Sequence, residues 1–336
     1  MPKEYKIVQV GVEYDYTVLT CESMRQANNL FYYCMSLNRR LKGFSKLLYT
    51  FHTSDKTNKL IKMPLKRMWA KKVLTKDIPL KKEDNVCFLY QGGGRYFDIH
   101  AFDYLKKRYP NSIFVYVFGD LVELNERNYP GFFDKCKKTF DLILTYNPID
   151  ADKYNLILKR PMVPCFGTEN SDSKTIDLLF VGREKGRLNL LIDIFEKCLR
   201  QNLKCEFYIF GVLKENQKHK GLIHYNEYLP YCDVVDKIKN SKCVLDISQE
   251  NSSGITLRVF ECIGMKKLLM TDKKDILHTQ FFDPNKIIFI DSEIPFERIK
   301  EYKEEEWVLG DDFSPTAFFD WFHSLLIQHS LITRFK

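Results

Sequence analysis

The stretch that decides the fold is Ser253-Gly254-Ile255-Thr256-Leu257-Arg258-Val259-Phe260-Glu261-Cys262-Ile263-Gly264, continued by Met265-Lys266-Lys267-Leu268-Leu269-Met270-Thr271. It reads as a loop, a short helix, a Gly stop and a strand. Just upstream, the apolar run Cys243-Val244-Leu245-Asp246-Ile247 predicts a buried parallel strand. A strand therefore ends, a Ser/Gly loop turns, and a helix opens with Thr256 and Arg258 near its mouth. The first N–H groups of a helix have no intrahelical partner and its dipole favours negative charge, so such a mouth accepts phosphate. Arg258 and Glu261, three apart, share a helix face, while Val259, Phe260 and Ile263 form the apolar face. A cation at the mouth with a carboxylate further along suits a nucleoside diphosphate whose ribose hydroxyls need an acceptor.

Working outward, strand and helix patterns alternate. Upstream lie a strand at Asp177–Val181, the turn Gly182-Arg183-Glu184-Lys185-Gly186-Arg187, and a helix with Leu188, Leu191, Ile192, Phe195 and Leu199 on one face. A strand at Cys205–Phe210 and a helix at Tyr231–Asn240 follow, and Lys286–Ile290 is a last strand. The first half predicts strands at Tyr5–Val12, Val86–Tyr90, Ile113–Phe118 and Phe140–Thr145. Its predicted helices are Met24–Leu41, Asp98–Arg108 with Asp98 as N-cap, and Ile149–Tyr154. The polar, turn-rich Gly167–Lys174 marks a boundary. The expected organisation is α/β: an N-terminal Rossmann-like domain over 1–170, a second over 171–315, and a C-terminal helix over 316–336 that returns to the first. Two such domains would face each other across a cleft at the carboxyl ends of their strands.

Composition narrows the classes. The 336 residues are 45% hydrophobic and 14% aromatic, ample for two cores. No apolar run approaches the roughly 18–20 residues of a membrane span, and the first residues lack the apolar core of a secretory signal. Ten cysteines lack a Cys-x-x-Cys pair, and Cys87, Cys205, Cys243 and Cys262 lie in apolar runs that predict buried thiols, which suits a reducing cytoplasm. The net charge of +8 is uneven: between Arg39 and Lys82, 14 basic residues stand against only Asp55 and Asp77. Basic residues mixed with Trp69, Met and Leu suit an anionic membrane surface, or simply a solvated helical face. No nucleic-acid motif accompanies the charge, so nucleic acid is not an expected partner.

The opening stretch resembles the donor-binding segment of GT-B glycosyltransferases, specifically those of bacterial capsule and lipopolysaccharide assembly. Their pattern here is Gly-Leu/Ile-Thr-x-Arg-x-Phe-Glu, a short apolar stretch, then Lys-Lys-Leu-Ile-Thr. The resemblance continues through Asp177-Leu178-Leu179-Phe180-Val181-Gly182-Arg183 and Tyr228-Leu229-Pro230-Tyr231, and spans about residues 84–295. It implies a cytoplasmic, peripherally membrane-bound enzyme moving a sugar from a nucleotide-diphosphate donor to a saccharide or lipid-linked acceptor, without a cofactor or metal. The alternatives are a catalytically silent binding subunit of this fold and a sugar-nucleotide epimerase.

Within the resemblance Glu261 holds the donor ribose; by position alone it is an ordinary helix carboxylate. Arg258 contacts phosphate or merely pairs with an acid. Ser253, Gly254, Ile255 and Thr256 line the diphosphate, Thr256 having the alternative of a plain helix start. Gly182, Arg183 and Lys185 admit and neutralise the diphosphate or form a solvent-facing turn. Tyr225, Tyr228 and Leu229 flank the base or pack. A base to deprotonate the acceptor hydroxyl is sought among carboxylates and His. Asp120 follows a strand and is the first candidate, with helix capping as its alternative; Glu13 and Asp15, after the first strand, are its rivals, and His100 lies just past the Gly loop. Gly92-Gly93-Gly94-Arg95 lacks the spacing of a dinucleotide fingerprint. Asp150-Ala151-Asp152 has the form of a metal-holding acid pair, but acids are favoured at a helix start by capping and dipole alone. The glutamate that the family carries eight residues before its ribose glutamate is replaced here by Ser253, and Glu250 is at the wrong spacing.

Overall fold

A computed structural model describes residues 4–54, 57, 58, 61, 63–91, 99–167, 174–247, 255–291 and 293–334. The chain divides into two compact units, residues 1–161 with 315–336, and residues 162–314. Each is a Rossmann-like α/β unit built on a six-stranded sheet.

The first sheet holds β1 (Lys6–Val12), β2 (Phe31–Met35), β3 (Val86–Gln91), β4 (Ser112–Phe118), β5 (Leu142–Thr145) and β6 (Ile157–Leu158), in the order β2-β1-β3-β4-β5-β6. Every pairing is parallel. Such strands are covered on both faces, which explains the unbroken apolar runs at β3 and β4. The order reverses between β1 and β3, and open α/β sheets bind ligands outside the carboxyl ends at that reversal. β1 is bulged between Val10 and Val12, at Gly11 with φ 80°. A residue without Cβ takes this left-handed backbone cheaply, and the bulge re-aims the strand end.

One expected element is wrong. Residues 24–41 are not a single helix: a helix runs Asp15–Ala27, β2 follows, and a short helix closes at Leu37–Arg40. The aromatic run Phe31-Tyr32-Tyr33-Cys34-Met35 pairs with β1 from Ile7↔Phe31 onward, because aromatic side chains pack well on a pleated surface. The helix Pro315–Arg334 belongs to the first unit, where His323 Nε2 accepts from the Tyr5 N–H at 3.0 Å. Phe318, Phe319, Phe322 and Leu326 are its buried side.

The second sheet holds β7 (Ile176–Arg183), β8 (Cys205–Phe210), β9 (His224–Tyr225), β10 (Ser241–Asp246), β11 (Leu268–Thr271) and β12 (Ile287–Phe289), in the order β12-β11-β10-β7-β8-β9, again all parallel. Here the reversal lies between β7 and β10. The helix Leu188–Arg200 buries Leu191, Ile192, Ile194, Phe195 and Cys198. Leu199, expected on that face, is 40% exposed because Cys198 takes the inward position.

The units divide at Pro161/Met162, ahead of the polar 167–174 stretch where the boundary was expected. The reason is packing: Val163 and Phe166 lie against Gly264 at the end of the helix Leu257–Gly264. A Cβ on Gly264 would come within 2.6 Å of the Phe166 ring. Gly264→Ala is therefore expected to cost about 1–3 kcal/mol, the usual range for overpacking. Gly310→Ala, with open space around it, is the near-neutral control. Urea unfolding of both variants checks this; equal midpoints would show that Phe166 yields freely.

Candidate functional site

The reversal point of the second sheet gathers charge. Asp246, the last residue of β10, is buried and accepts from the Thr256 hydroxyl through Oδ2 at 2.7 Å. Thr256 is the residue before the helix Leu257–Gly264, and its side chain does not cap that helix. Its bond to Asp246 instead ties the helix mouth to the strand end. Burial pushes the Asp246 carboxyl up, against the Thr256 bond and the charges of Lys273, Arg258 and Arg187.

Two arginines are held over this point by backbone carbonyls. Arg258 donates through Nη2 to the Val181 carbonyl of β7 at 2.8 Å and through Nη1 to Glu261 Oε2. Arg187 donates through Nη2 to the Arg183 carbonyl at 3.0 Å and through Nη1 to the Ile247 carbonyl, bridging the ends of β7 and β10. It also lies over the Phe180 ring, 5.5 Å from its centroid. Burial lowers the Arg187 pKa, opposed by Asp246, Asp272 and Glu184. For Arg258 burial works in the same direction, but the Glu261 carboxylate outweighs it and the net shift is upward. Guanidinium groups fixed this way offer their remaining N–H donors in a set geometry, which suits phosphate oxygens.

Glu261 is 0% exposed. Tyr231 donates to its Oε1 at 3.0 Å and Arg258 to its Oε2. The resemblance implies a carboxylate that meets the donor ribose; in this structure it is enclosed, with both oxygens engaged. A buried carboxylate needs such partners, and the i, i+3 spacing supplies Arg258. Glu261 therefore fixes where the Arg258 guanidinium sits.

The other expected donor residues are distributed. Gly182 and Arg183 lie inside β7, paired with Ile209 and Phe210, rather than in the turn after it. A Cβ on Gly182 would come 3.1 Å from Phe180 and 3.4 Å from Arg187, so glycine leaves room for that guanidinium. Arg183 lies over the Phe210 ring at 4.8 Å. Lys185 is exposed at φ 42° in the following turn. Ile255 is half-buried and Tyr228 is 80% exposed. Ser253 and Gly254, like Gly92-Gly93-Gly94-Arg95, Asp98 and Glu250, lie outside the described residues. Arg187, Asp246 and Tyr231 escaped the sequence reading as parts of the site. The one local signal was Asp246, a lone acid within an apolar strand.

The base candidates separate in the first unit. Asp15 is exposed, starts the helix Asp15–Ala27 and pairs with Arg39 at 3.1 Å. Asp120 is exposed beyond β4, one strand away from the sheet reversal. Glu13 directly follows bulged β1 at the reversal itself. Its Oε1 is buried without a hydrogen-bond partner among the described residues. Burial raises its pKa above the ordinary carboxylate value, opposed by a Ser36 hydrogen bond and the Arg39 charge. Gln91, ending β3, accepts from the buried Gln9 at 3.2 Å beside it in the sheet. Asp150 is occupied structurally: its Oδ2 accepts from the Val122 N–H at 2.9 Å, and its own N–H is capped by Asn147. Asp152 is exposed.

Residues 189–307 match the family described as glycosyl transferase-like. That span includes Asp246, Thr256, Arg258 and Glu261. No curated protein matches the chain in sequence. Among solved structures, the chain is similar to the UDP-GlcNAc 2-epimerase of Methanocaldococcus jannaschii, solved with UDP-GlcNAc and UDP: 15% identity, 95% of this chain and 99% of that one, TM-score 0.43. It is also similar to a chain of the glycosylation associate protein (Gap123) complex of Streptococcus agalactiae: 12% identity, 79% of this chain, TM-score 0.39. The chain spans 54% of the length of that protein. Among the described residues no helix is long and apolar enough to cross a membrane.

Proposed function

We propose that the protein is a glycosyltransferase of the GT-B kind. It takes a sugar from a nucleotide-diphosphate donor and places it on a saccharide or lipid-linked saccharide of a surface polysaccharide, working at the cytoplasmic side of a membrane. The observation that carries this reading is the pair of fixed arginines, Arg187 and Arg258, at the reversal of the second sheet, inside or beside the segment that matches the glycosyl transferase-like family. In this scheme the second unit binds the donor and the first binds the acceptor.

The chemistry follows from these groups. Glu13 accepts the proton of the acceptor hydroxyl. The acceptor oxygen bonds to the anomeric carbon, and the bond from that carbon to the diphosphate breaks, its electron pair leaving on the phosphate oxygen. Arg187, Arg258 and the N–H groups at the Thr256 helix mouth meet that charge, and stabilising a developing charge with preset donors is commonly the largest catalytic effect. Arginines meet the diphosphate charge here, so no metal enters the scheme.

Calorimetric titration of the full chain with UDP, GDP, dTDP and CDP tests the donor assignment. One of them is expected to bind selectively, and Arg187→Met to weaken it by about tenfold to a hundredfold, the loss of a bond or two to a charged donor. Failure of every nucleoside diphosphate to bind would overturn the reading. Incubation of the bound donor without acceptor then separates transfer from epimerisation, in which the sugar changes with no acceptor present.

A further inference from the structure

The first unit holds a cavity of about 50 Å³ at the carboxyl end of its sheet, beside the reversal between β1 and β3. Val10 and Gly11 of β1, Met35 at the end of β2 and Tyr90 of β3 form one wall. Tyr49 and Phe102 also line it. Trp69, read from the sequence as part of a membrane-facing basic stretch, is buried and packs edge-on against Tyr49 at 5.2 Å. The segment after β2 therefore folds inward to build this cavity.

Two polar atoms at this place lack hydrogen-bond partners among the described residues. The first belongs to Arg40, which lines the cavity. Its Nη2 donates to the Lys72 and Val73 carbonyls at 2.6 and 2.7 Å, which fixes the guanidinium. Its Nε is buried and makes no bond. The neighbouring Arg39 has Asp15, but Arg40 has no carboxylate among the described residues. The second atom is Glu13 Oε1. Ser36 connects the two. It lines the cavity, hydrogen-bonds Glu13, and accepts through Oγ from the Arg39 N–H at 3.3 Å, at the start of the short helix that carries Arg40. A buried N–H left unmade costs more than a formed bond gains. Water in the cavity would satisfy the N–H but leave the charge uncompensated; an anion does both. Apolar walls lower the local dielectric and strengthen such a contact. At about 50 Å³ the space takes a substituent and not a sugar ring, since one water already needs about 10–15 Å³. A carboxylate fits it.

We propose that the acceptor is an acidic sugar whose carboxylate enters this cavity and bonds the Arg40 guanidinium, while a ring hydroxyl stands at Glu13. This rests on the transfer reading above, in which the first unit binds the acceptor. A neutral sugar would leave the guanidinium without a counter-charge, so Arg40 decides which acceptors are taken.

The experiment is saturation-transfer NMR of the full chain without donor. It compares glucuronate, galacturonate and N-acetylneuraminate, each with its uncharged carboxamide. At least one acid is expected to bind about tenfold or more tighter than its amide, the low end for a hydrogen bond to a charged group. Arg40→Met should bring that acid down to the level of the amide. The variant also loses the bonds to the Lys72 and Val73 carbonyls, so thermal unfolding accompanies it. If it is less stable than wild type, the acid-over-amide preference of the wild-type protein decides alone. Acids that bind no better than their amides would overturn the proposal. So would a preference that folded Arg40→Met retains, or inorganic phosphate or glucose 6-phosphate binding more tightly than every acid. The nucleoside diphosphate titration stays separate. Diphosphate binding without an acid preference removes this inference and leaves the transfer reading standing; an acid preference without diphosphate binding overturns the transfer reading and keeps the carboxylate site.

Discussion

Glu261→Gln is expected to destabilise the second unit by about 3 kcal/mol, the low end of the cost of breaking a buried ion pair. Gln keeps the shape and still accepts from Tyr231, but leaves the Arg258 guanidinium without its counter-charge. The low end applies because Arg258 keeps 17% side-chain exposure and the Asp246 charge nearby. Arg258→Met is expected to cost more, since it strands a carboxylate that is 0% exposed. Combining the two changes should recover part of the loss, because a buried pair replaced whole costs less than a pair broken. Denaturant unfolding of the four proteins gives the coupling directly. Additive effects, each under about 1 kcal/mol, would show that the pair holds nothing in place. The same variant should weaken nucleoside diphosphate binding through Arg258 rather than through a lost ribose contact. The loss should therefore be equal for ribose and 2′-deoxyribose diphosphates. A loss confined to the ribose form would return Glu261 to the role its family resemblance implies.

What the sequence made legible was local. The helix Leu257–Gly264 and the strand Leu268–Thr271 stand where the opening stretch places them, since a short apolar face, a Gly stop and a dense apolar run are signals within a few residues. Cys205–Phe210 and the Pro315 helix were equally plain. β2 was lost because its aromatic residues sit at positions that also continue a helical pattern, and only β1 alongside makes them a strand. The site was half legible for the same reason. Arg258 and Glu261 announce themselves by spacing. Arg187 acts through a carbonyl 60 residues away and Tyr231 through a carboxylate 30 residues away, separations with no sequence signature. Glu13 could not be ranked above Asp120 until the strand order showed which of them stands at the sheet reversal.

That ranking has the largest expected consequence. Glu13→Gln should lower the rate of transfer by about 10²–10⁴-fold, the usual contribution of a positioned general base. Asp15→Asn and Asp120→Asn should stay within about tenfold of wild type. Stability should move the other way. Burial raises the Glu13 pKa in the folded protein, so the folded state binds its proton more tightly than the unfolded chain does. The stabilising effect of that proton is full below the unfolded value and is lost as pH rises through the folded one. At neutral pH the ionised, partly unpaired carboxylate is therefore a cost, and Glu13→Gln should unfold at the same temperature as wild type or slightly higher. The pH profile of the wild-type rate should show an acid limb above the ordinary carboxylate range, falling as pH drops through the raised pKa, and the residual activity of the variant should lack that limb. A structural carboxylate would behave otherwise: its removal would lower stability and activity together and leave the shape of the profile intact. Transfer kinetics from pH 4 to 8 alongside thermal unfolding distinguish the two, and an Asp120→Asn variant that loses more activity than Glu13→Gln would move the base to β4.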